Sequence, residues 1–529
     1  MKWVPSLLIL LGLFFCSCQP SSQKKVEGIR LNIVADPATL DPRKARSLNE
    51  MILANMLFEG LMKVGKNGTL ECALASNIEI SPDGKIYTIS LKDAYWTNGK
   101  KIGPQDFIYA WKTSLDASFP SENASFLFCI KNASNIKKGL APSSDLGVRQ
   151  VDEQSFEVEL EAPTPYFLKL TSTPVFFPVL EEMDQKNPSW DPSKGALISC
   201  GAFSLKTWKH QDLIEVEKNP SYRNASSVKV PFIHMNMLDE MAEIKMFEEG
   251  DLDLAWSPLS TLPSDLLESL KKENLLFSEP FLGTSFFRIN VERPPFHNVN
   301  IRKAFALAID RKNLVEHVLQ GGQSPALRLV PQKDSLKAYF VDHDPRQAKE
   351  LLEQGLQELG LSREDLPPIT FLYASNQRNH LVAQAVQQDW KEALGITVRL
   401  EANDPKVYFG RLGRQDYQMA NSSWIADFND PINFLNVFKY KRGSCNNTEW
   451  ENTTYTHLLD ESALIQSEAQ REEVLSKCEE ILMNEMPIIP IYHLKMLYVK
   501  NKNLKNVVLS PLGIVDFTWA EMEQQETIR

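Results

Sequence analysis

Eight histidines, seven cysteines and 68 carboxylates offer this chain ample material for chemistry, and their spacing assembles almost none of it. No two of His210, His234, His297, His317, His343, His380, His457 and His493 stand in the HExxH relation that would hold a zinc ion over a general base. Beyond the first eighteen residues the cysteines are Cys72, Cys129, Cys200, Cys445 and Cys478. They are far apart, with no CxxC or Cys/His cluster at metal-ligand spacing. No P-loop, no GxGxxG after a strand and no GxSxG elbow occurs. For most of the carboxylates the default is a solvated face. A Ser-His-Asp triad drawn from distant positions leaves no mark in spacing, so the sequence argues against local catalytic motifs rather than against every catalyst. No cofactor is implied.

The one side chain placed for a covalent step is Cys18. Lys2 supplies a positive start, Val4 to Phe15 is almost wholly apolar, and Ser17, a small residue, directly precedes the cysteine. Charge, apolar core and small residue make the order of an export signal. The apolar run is about 12 residues against the roughly 20 of a spanning helix. With the cysteine at the cut, the segment resembles a bacterial lipobox, in which cleavage precedes a thiol that then carries a diacylglycerol. Cys16 fits less well, because Phe15 is too large for the cleavage position. Residues 1–17 are thus expected to be a signal peptide. Residues 18–27, polar and containing Gln19 to Lys25, form a lipid-anchored leash. The mature protein is expected in the periplasm or on the outer face of the cytoplasmic membrane.

The remaining chain exceeds what a single core usually holds, so two or three substructures are expected. Apolar residues at 43% and charged residues at 24% are ordinary for a globular protein. The net charge of −11 without a basic run argues against nucleic acid or an anionic membrane surface as partner. It fits a soluble exported protein and weakly favours cationic ligands. At this length no disulfide scaffold is needed, and Cys478, among Val474, Leu475, Ile481 and Leu482, reads as a small buried apolar residue.

Strand-like and helix-like patterns alternate along the chain. Ile86, Ile89 and Leu91 follow the turn Ser81-Pro82-Asp83-Gly84, and Phe156, Val158 and Leu160 alternate with Glu157 and Glu159, as half-buried strands do. Helical spacing appears at Phe107, Ala110, Trp111 and Leu115, and again at Ile301, Ala304, Phe305, Ala308 and Ile309. Asp344-Pro345 reads as a helix N-cap and first position, with Ala348, Leu351, Leu352 and Leu359 as the buried stripe. Leu381, Val382, Ala385 and Val386 predict another helix, stopped at Leu394-Gly395 before a strand over 396–400. Helix, glycine, strand is the rhythm of α/β layering. Ala162-Pro163-Thr164-Pro165 and Lys186-Asn187-Pro188-Ser189 mark one seam, and Phe281 to Pro295 another. Ile488 to Tyr492 reads as a late strand, after which the last 30 or so residues could return to an earlier lobe.

At separated places the chain resembles the extracellular solute-binding proteins of the peptide/nickel class, most of all the oligopeptide-binding members that serve ABC importers. The likeness begins at Leu40-Asp41-Pro42 and Phe58-Glu59-Gly60-Leu61. It continues through Ser81-Pro82-Asp83-Gly84-Lys85, Trp96-Thr97-Asn98-Gly99-Lys100 and Asp106-Phe107. Asp145-Leu146-Gly147-Val148, Lys218-Asn219-Pro220-Ser221-Tyr222 and Pro294-Pro295-Phe296 follow in order. Ile301-Arg302-Lys303-Ala304, Ala308-Ile309-Asp310-Arg311, Trp424 to Pro431 and Pro487 to Tyr492 complete it. The resemblance implies an α/β, two-lobe periplasmic-binding-protein fold with an extra domain inserted in the first lobe. Lobe I would comprise 28–60, 185–282 and 495–529, the inserted domain 61–184, and lobe II 283–494.

The resemblance also implies a monomeric receptor that is not an enzyme. Its partners would be short peptides, the permease subunits of an ABC importer, and a membrane reached through the lipid on Cys18. A receptor for peptides of varied sequence must read their backbone and charged ends, and an unpaired ammonium in a closed cleft is costly. In the resembled family its counter-ion is the Asp of a Trp-x-Ala-Asp motif, here Asp427, with Trp424 as apolar wall and source of backbone contacts. From the residues alone, Trp424 reads as core and Asp427 as a turn cap before Asn429-Asp430-Pro431. Other expected contacts are Asn421, where relatives carry an Arg for the ligand carboxylate, His380 or the neighbouring Asn379, Ser47 and Asn49 after Leu40-Asp41-Pro42, and Tyr492. The departures from the family pattern suggest shorter or cell-wall-derived peptides. Rival readings are a family member for nickel, haem or another small solute, and, in another class, an exported hydrolase or surface adhesion protein.

Overall fold

Two thirteen-residue strands, Phe277–Ile289 and Ile488–Lys500, run antiparallel to one another and set the layout. They belong to a computed structural model that describes residues 28–65, 69–331, 337–443 and 445–523. The expected signal peptide, leash and Cys18 lie outside these residues. Pairing of the two strands is interrupted between Pro280 and Thr284, where proline lacks the N–H a ladder needs. At one end they join Met419–Ile425 and Thr370–Ala374; at the other, Leu254–Trp256 pairs with Tyr498–Lys500. A ladder that changes neighbours across an irregular point is a physical basis for bending.

The sheet they form has the order Leu254–Trp256, Ile488–Lys500, Phe277–Ile289, Met419–Ile425, Thr370–Ala374, Arg399–Asn403, with Ser324–Pro325 on the side of Ile488–Lys500. Successive side chains of a strand face opposite ways, and Phe286 and Phe287 use both faces. Phe287 packs on Phe371 at 4.5 Å and Trp390 at 6.0 Å, in a core with the helices Val299–Leu307, Pro345–Leu359 and Gln377–Leu394. Phe286 meets Phe438 at 6.1 Å, in the core reached by Thr453–Leu464 and Glu468–Glu485. Helices on both faces of a mixed sheet make the α/β class.

Two four-stranded sheets precede it. Ile29–Asn32 pairs in parallel with Phe232–Asn236, which continues antiparallel to Leu213–Lys218 and Phe203–Lys209. Ala75–Ile80, Ile86–Leu91, Ser155–Glu159 and Val148–Gln150 form an antiparallel sheet. The helix Pro104–Leu115 covers it, with Phe107 stacked on Phe156 at 5.6 Å. Leu40-Asp41-Pro42 ties these parts together. Buried Arg43 lies 2.8 Å from Asp41 and 2.6 Å from Asp184, and Tyr109 donates to Asp184 as well.

Several expected elements differ in detail. Asp344 caps Pro345–Leu359 as expected, with the buried stripe at Ala348, Leu352, Gly355 and Leu356, while Leu351 and Leu359 are only half-buried. In Gln377–Leu394 the buried face is Val382, Ala383, Val386 and Trp390; Leu381 is exposed, because the large Trp390 turns the face by about one residue. The strand expected at 396–400 lies at Arg399–Asn403, since Gly395 ends the helix in left-handed conformation and the next three residues serve as a link. The C-terminal stretch pairs with itself, Leu504–Lys505 with Glu521–Met522 and Val508–Leu509 with Val515–Asp516. It rejoins earlier chain through Asn501 N to Asp253 O at 2.8 Å and Leu282 N to Pro511 O at 2.6 Å. No disulfide joins the five described cysteines.

Candidate functional site

The strand Met419–Ile425 ends in a tight turn that presents Asp427. Asp430 organises the turn by accepting from Ile432 N at 3.1 Å, and Asn433 completes it. The Asn433 carboxamide accepts from Trp424 Nε1 at 2.8 Å and from Asp427 N at 3.3 Å, and donates to Asp427 Oδ2 at 3.2 Å. With two donors facing its oxygen, the amide has only one sensible orientation. Asn433 was not singled out by sequence reasoning, because nothing in its spacing marks it.

Asp427 is half-buried and its remaining exposure opens into a cavity of about 240 Å³. Among the described residues no lysine, arginine or histidine makes an ion pair with it. Loss of hydration raises its carboxyl above the ordinary Asp range, with the Asn433 hydrogen bond opposing the shift. Facing Asp427 across the cavity are Met51 and Asn55 of the helix Leu48–Leu57, then Glu59 and Asp516. Glu59 is already neutralised by Arg223, which donates to it at 2.6 and 2.8 Å. Asp516 accepts from Thr518 N at 2.8 Å and is likewise raised by burial. The cavity therefore holds two carboxylates with no ion-pair partner among the described residues, and Lys63, 3.8 Å from Glu59, is a cation in the same wall.

Ile425 also lines a second cavity, of about 890 Å³, which follows the strand back through Ser423, Ser422 and Asn421 to Asn379, with Tyr492 in its wall. The charge there is reversed. Arg378 and Lys495 line it, and neither has a carboxylate within ion-pair distance among the described residues; Glu240 is the acid on its rim.

Between the two cavities the strand has an open edge. Thr370–Ala374 pairs with it only at Met419 and Ala420. On the other side, Ala426 N donates to Leu282 O at 2.8 Å. Antiparallel ladders alternate, so Trp424 and Ser422 turn their main-chain groups to Phe277–Ile289, while those of Ser423 and Ile425 point outward. Among the described residues those outward groups have no partner. The Trp424 side chain packs towards the core and bonds Asn433, lining neither cavity.

The other expected residues are divided. Asn421 lies in the second cavity, donating to Asn379 Oδ1 at 3.0 Å, with its own Oδ1 buried and unpartnered. Tyr492 lies there too. His380 is exposed outside both cavities, its ring bonded to Tyr373 Oη at 2.8 Å; its neighbour Asn379 faces the cavity instead. Ser47 caps the helix Leu48–Leu57 in a capping box with Glu50, and Asn49 donates to Ile33 O at 2.7 Å. Neither lines either of these two cavities; from that helix Leu48, Met51 and Asn55 line the first, at helical spacing.

A profile of the bacterial extracellular solute-binding proteins, family 5 Middle, matches residues 69–446. The chain belongs to this family. It is 40% identical over 498 residues to the oligopeptide-binding protein OppA of Bacillus subtilis (strain 168), covering 92% of this chain and 91% of that protein. Among solved structures it is similar to OppAIV of Borrelia burgdorferi, a periplasmic oligopeptide-binding protein, with TM-score 0.80, 28% identity and coverage of 94% and 100%. It is also similar to Haemophilus influenzae OppA in complex with RPPGFSPFR, with TM-score 0.79, 27% identity and coverage of 94% and 99%. The architecture is thus the two-lobe fold of these receptors, and the family is one of solute-binding proteins rather than enzymes. No described helix is long and apolar enough to cross a membrane.

Proposed function

We propose that this protein captures short peptides between its lobes and delivers them to the permease of an ABC importer, held at the outer face of the membrane by a lipid on Cys18. Residues 28–60, 185–282 and 495–529 form the first lobe, 61–184 its inserted domain and 283–494 the second, with the two thirteen-residue strands as hinge.

The observation that carries this reading is a partly dehydrated carboxylate, Asp427, at the head of a strand edge, Ser423 to Ile425, neither having a partner among the described residues. A peptide laid along that edge satisfies its own N–H and C=O groups whatever its side chains. Its ammonium meets Asp427, and its first side chain enters the 240 Å³ cavity. At about 3.3 Å per residue, the strand from Asp427 back to Asn421 spans about 20 Å, which suits an extended peptide of about six residues. Arg378 and Lys495 supply positive charge for the carboxylate end. The names of the relatives, oligopeptide-binding and peptide-bound, support the same ligand class.

The test is to incubate the purified protein with a tryptic digest of casein, remove unbound material and identify what remains by mass spectrometry. Intact short peptides with free amino termini support the reading. Retention of N-acetylated peptides equally well would overturn the role of Asp427, and an empty protein would overturn the ligand class.

A further inference from the structure

The turn that presents Asp427 is gripped at a second point, three residues on. Asp430 is 3% exposed and accepts from Arg471 of the helix Glu468–Glu485 at 2.7 and 3.0 Å. Its Oδ2 also accepts from Lys169 Nζ at 2.9 Å, 261 positions earlier in the chain. Apolar contacts surround this point. The Tyr166 ring stacks on Phe428 at 5.3 Å and 11°, and Phe126 meets Phe428 edge-on at 6.2 Å. Lys169, Tyr166 and Phe126 belong to the proposed inserted domain, and Asp430, Arg471 and Phe428 to the second lobe. The hinge strands lie elsewhere, so these contacts exist only while the two bodies are together.

Their charge arrangement makes the contact reversible. Breaking a buried pair is expensive chiefly when it leaves a charge alone. Here Arg471, which also lies over the Tyr166 ring at 5.6 Å, keeps its pair with Asp430 when the bodies part, and of the three charges only Lys169, already 35% exposed, loses its ion-pair partner. Glu468 and Glu472 line the adjoining 440 Å³ cavity and offset the two cations. Lys169 lines neither of the two chambers proposed for the ligand.

We infer that Lys169 is a positioning residue. By engaging Asp430 when the lobes close, it fixes the turn and sets Asp427 against the opposite wall, strengthening the hold on a ligand it never touches. This inference rests on the proposed capture of peptides by closure.

The experiment compares wild type, Lys169→Met and Lys169→Arg, using the casein peptides as probe. Compaction is followed by small-angle X-ray scattering, and release of the retained peptides by displacement. Lys169→Met should need about three- to ten-fold more peptide for half-compaction, the size of a partly exposed charge-assisted contact. It should release peptide correspondingly faster, Lys169→Arg should restore both, and ligand-free melting should not change. Half-compaction of Lys169→Met at the wild-type concentration would overturn the inference while leaving peptide capture standing. A fall in ligand-free melting that accounts for the lost affinity would likewise reduce Lys169 to a structural residue. If wild type itself retains no peptide, the ligand reading fails first and this inference goes with it.

Discussion

Replacing Asp427 by Asn tests the electrostatic core of the proposal with little change of shape. The carboxylate is partly dehydrated before any ligand arrives, so an incoming ammonium gains a partner part of whose desolvation the fold has already borne. Removing one member of such a pair costs about 2–5 kcal/mol. Because Asp427 keeps contact with the cavity, the lower part of that range applies, about 2–3 kcal/mol. At 1.4 kcal/mol per decade this is about a 30- to 150-fold rise in Kd. Titration calorimetry with a peptide recovered from the casein digest measures it. The N-acetylated form of the same peptide completes a double-mutant cycle. Acetylation should cost wild type nearly as much as the substitution does, and should cost Asp427→Asn almost nothing more. Affinity within threefold of wild type, or additive losses in the cycle, would refute the reasoning.

The same residue fixes the sign of two pH dependences. Burial raises the Asp427 carboxyl above its unfolded value in the ligand-free protein, so the folded chain holds that proton more tightly than the unfolded one. The ionised form therefore destabilises the fold near neutrality, and the cost is relieved as pH falls through the folded pKa. Ligand-free Asp427→Asn should melt no lower than wild type at pH 7, with the difference closing on acidification. Binding runs the opposite way. Only the ionised form pairs with an ammonium, so wild-type affinity should fall in that acid window towards the level of the variant.

Three further outcomes separate the site from its scaffold. Asn433→Ala should weaken peptide binding about tenfold, because it frees the Asp427 carboxylate to rotate and strands the Trp424 N–H; calorimetry at constant peptide checks it. Ser47→Ala should cost about 1 kcal/mol of stability through the lost helix cap, read from denaturant unfolding, with peptide affinity unchanged. Cys18→Ser should move the exported protein from the membrane fraction to the soluble fraction, followed by detergent partition of cell extracts.

What could be read in the sequence was what local periodicity encodes. The stripe Phe107, Ala110, Trp111 and Leu115 is the buried face of Pro104–Leu115, and the Asp344 cap stands where its residue type demands. Leu381 belongs to the stripe the sequence predicts and yet is exposed, because a helical stripe admits a rotation of one residue and the buried face is the one that carries Trp390. Ser47 and Asn49 sit on a stretch that reaches the cleft, yet a cap and a bond to Ile33 O occupy their side chains, which spacing could not show. Asn433 acts through a turn whose shape depends on Asp430, itself bonded to Lys169 across 261 positions of sequence. No window along the chain contains both partners.

The proposed recognition by main chain would leave only a faint trace in the sequence. The decisive feature of Ser423 and Ile425 is which way their N–H and C=O groups point, and any residue type can supply that. Direction follows from ladder parity, set by Ala426 and Leu282, and from Thr370–Ala374 ceasing to pair after Ala420. Sequence would constrain such a site only where charge must be met, and at the proposed place it has a carboxylate, Asp427, raised by burial and with no ion-pair partner among the described residues. A binding edge of this kind is also a liability, since an unpaired strand recruits other strands. Here the edge lies between two chambers inside a cleft, open to a chain narrow enough to enter and closed to the edge of another folded sheet.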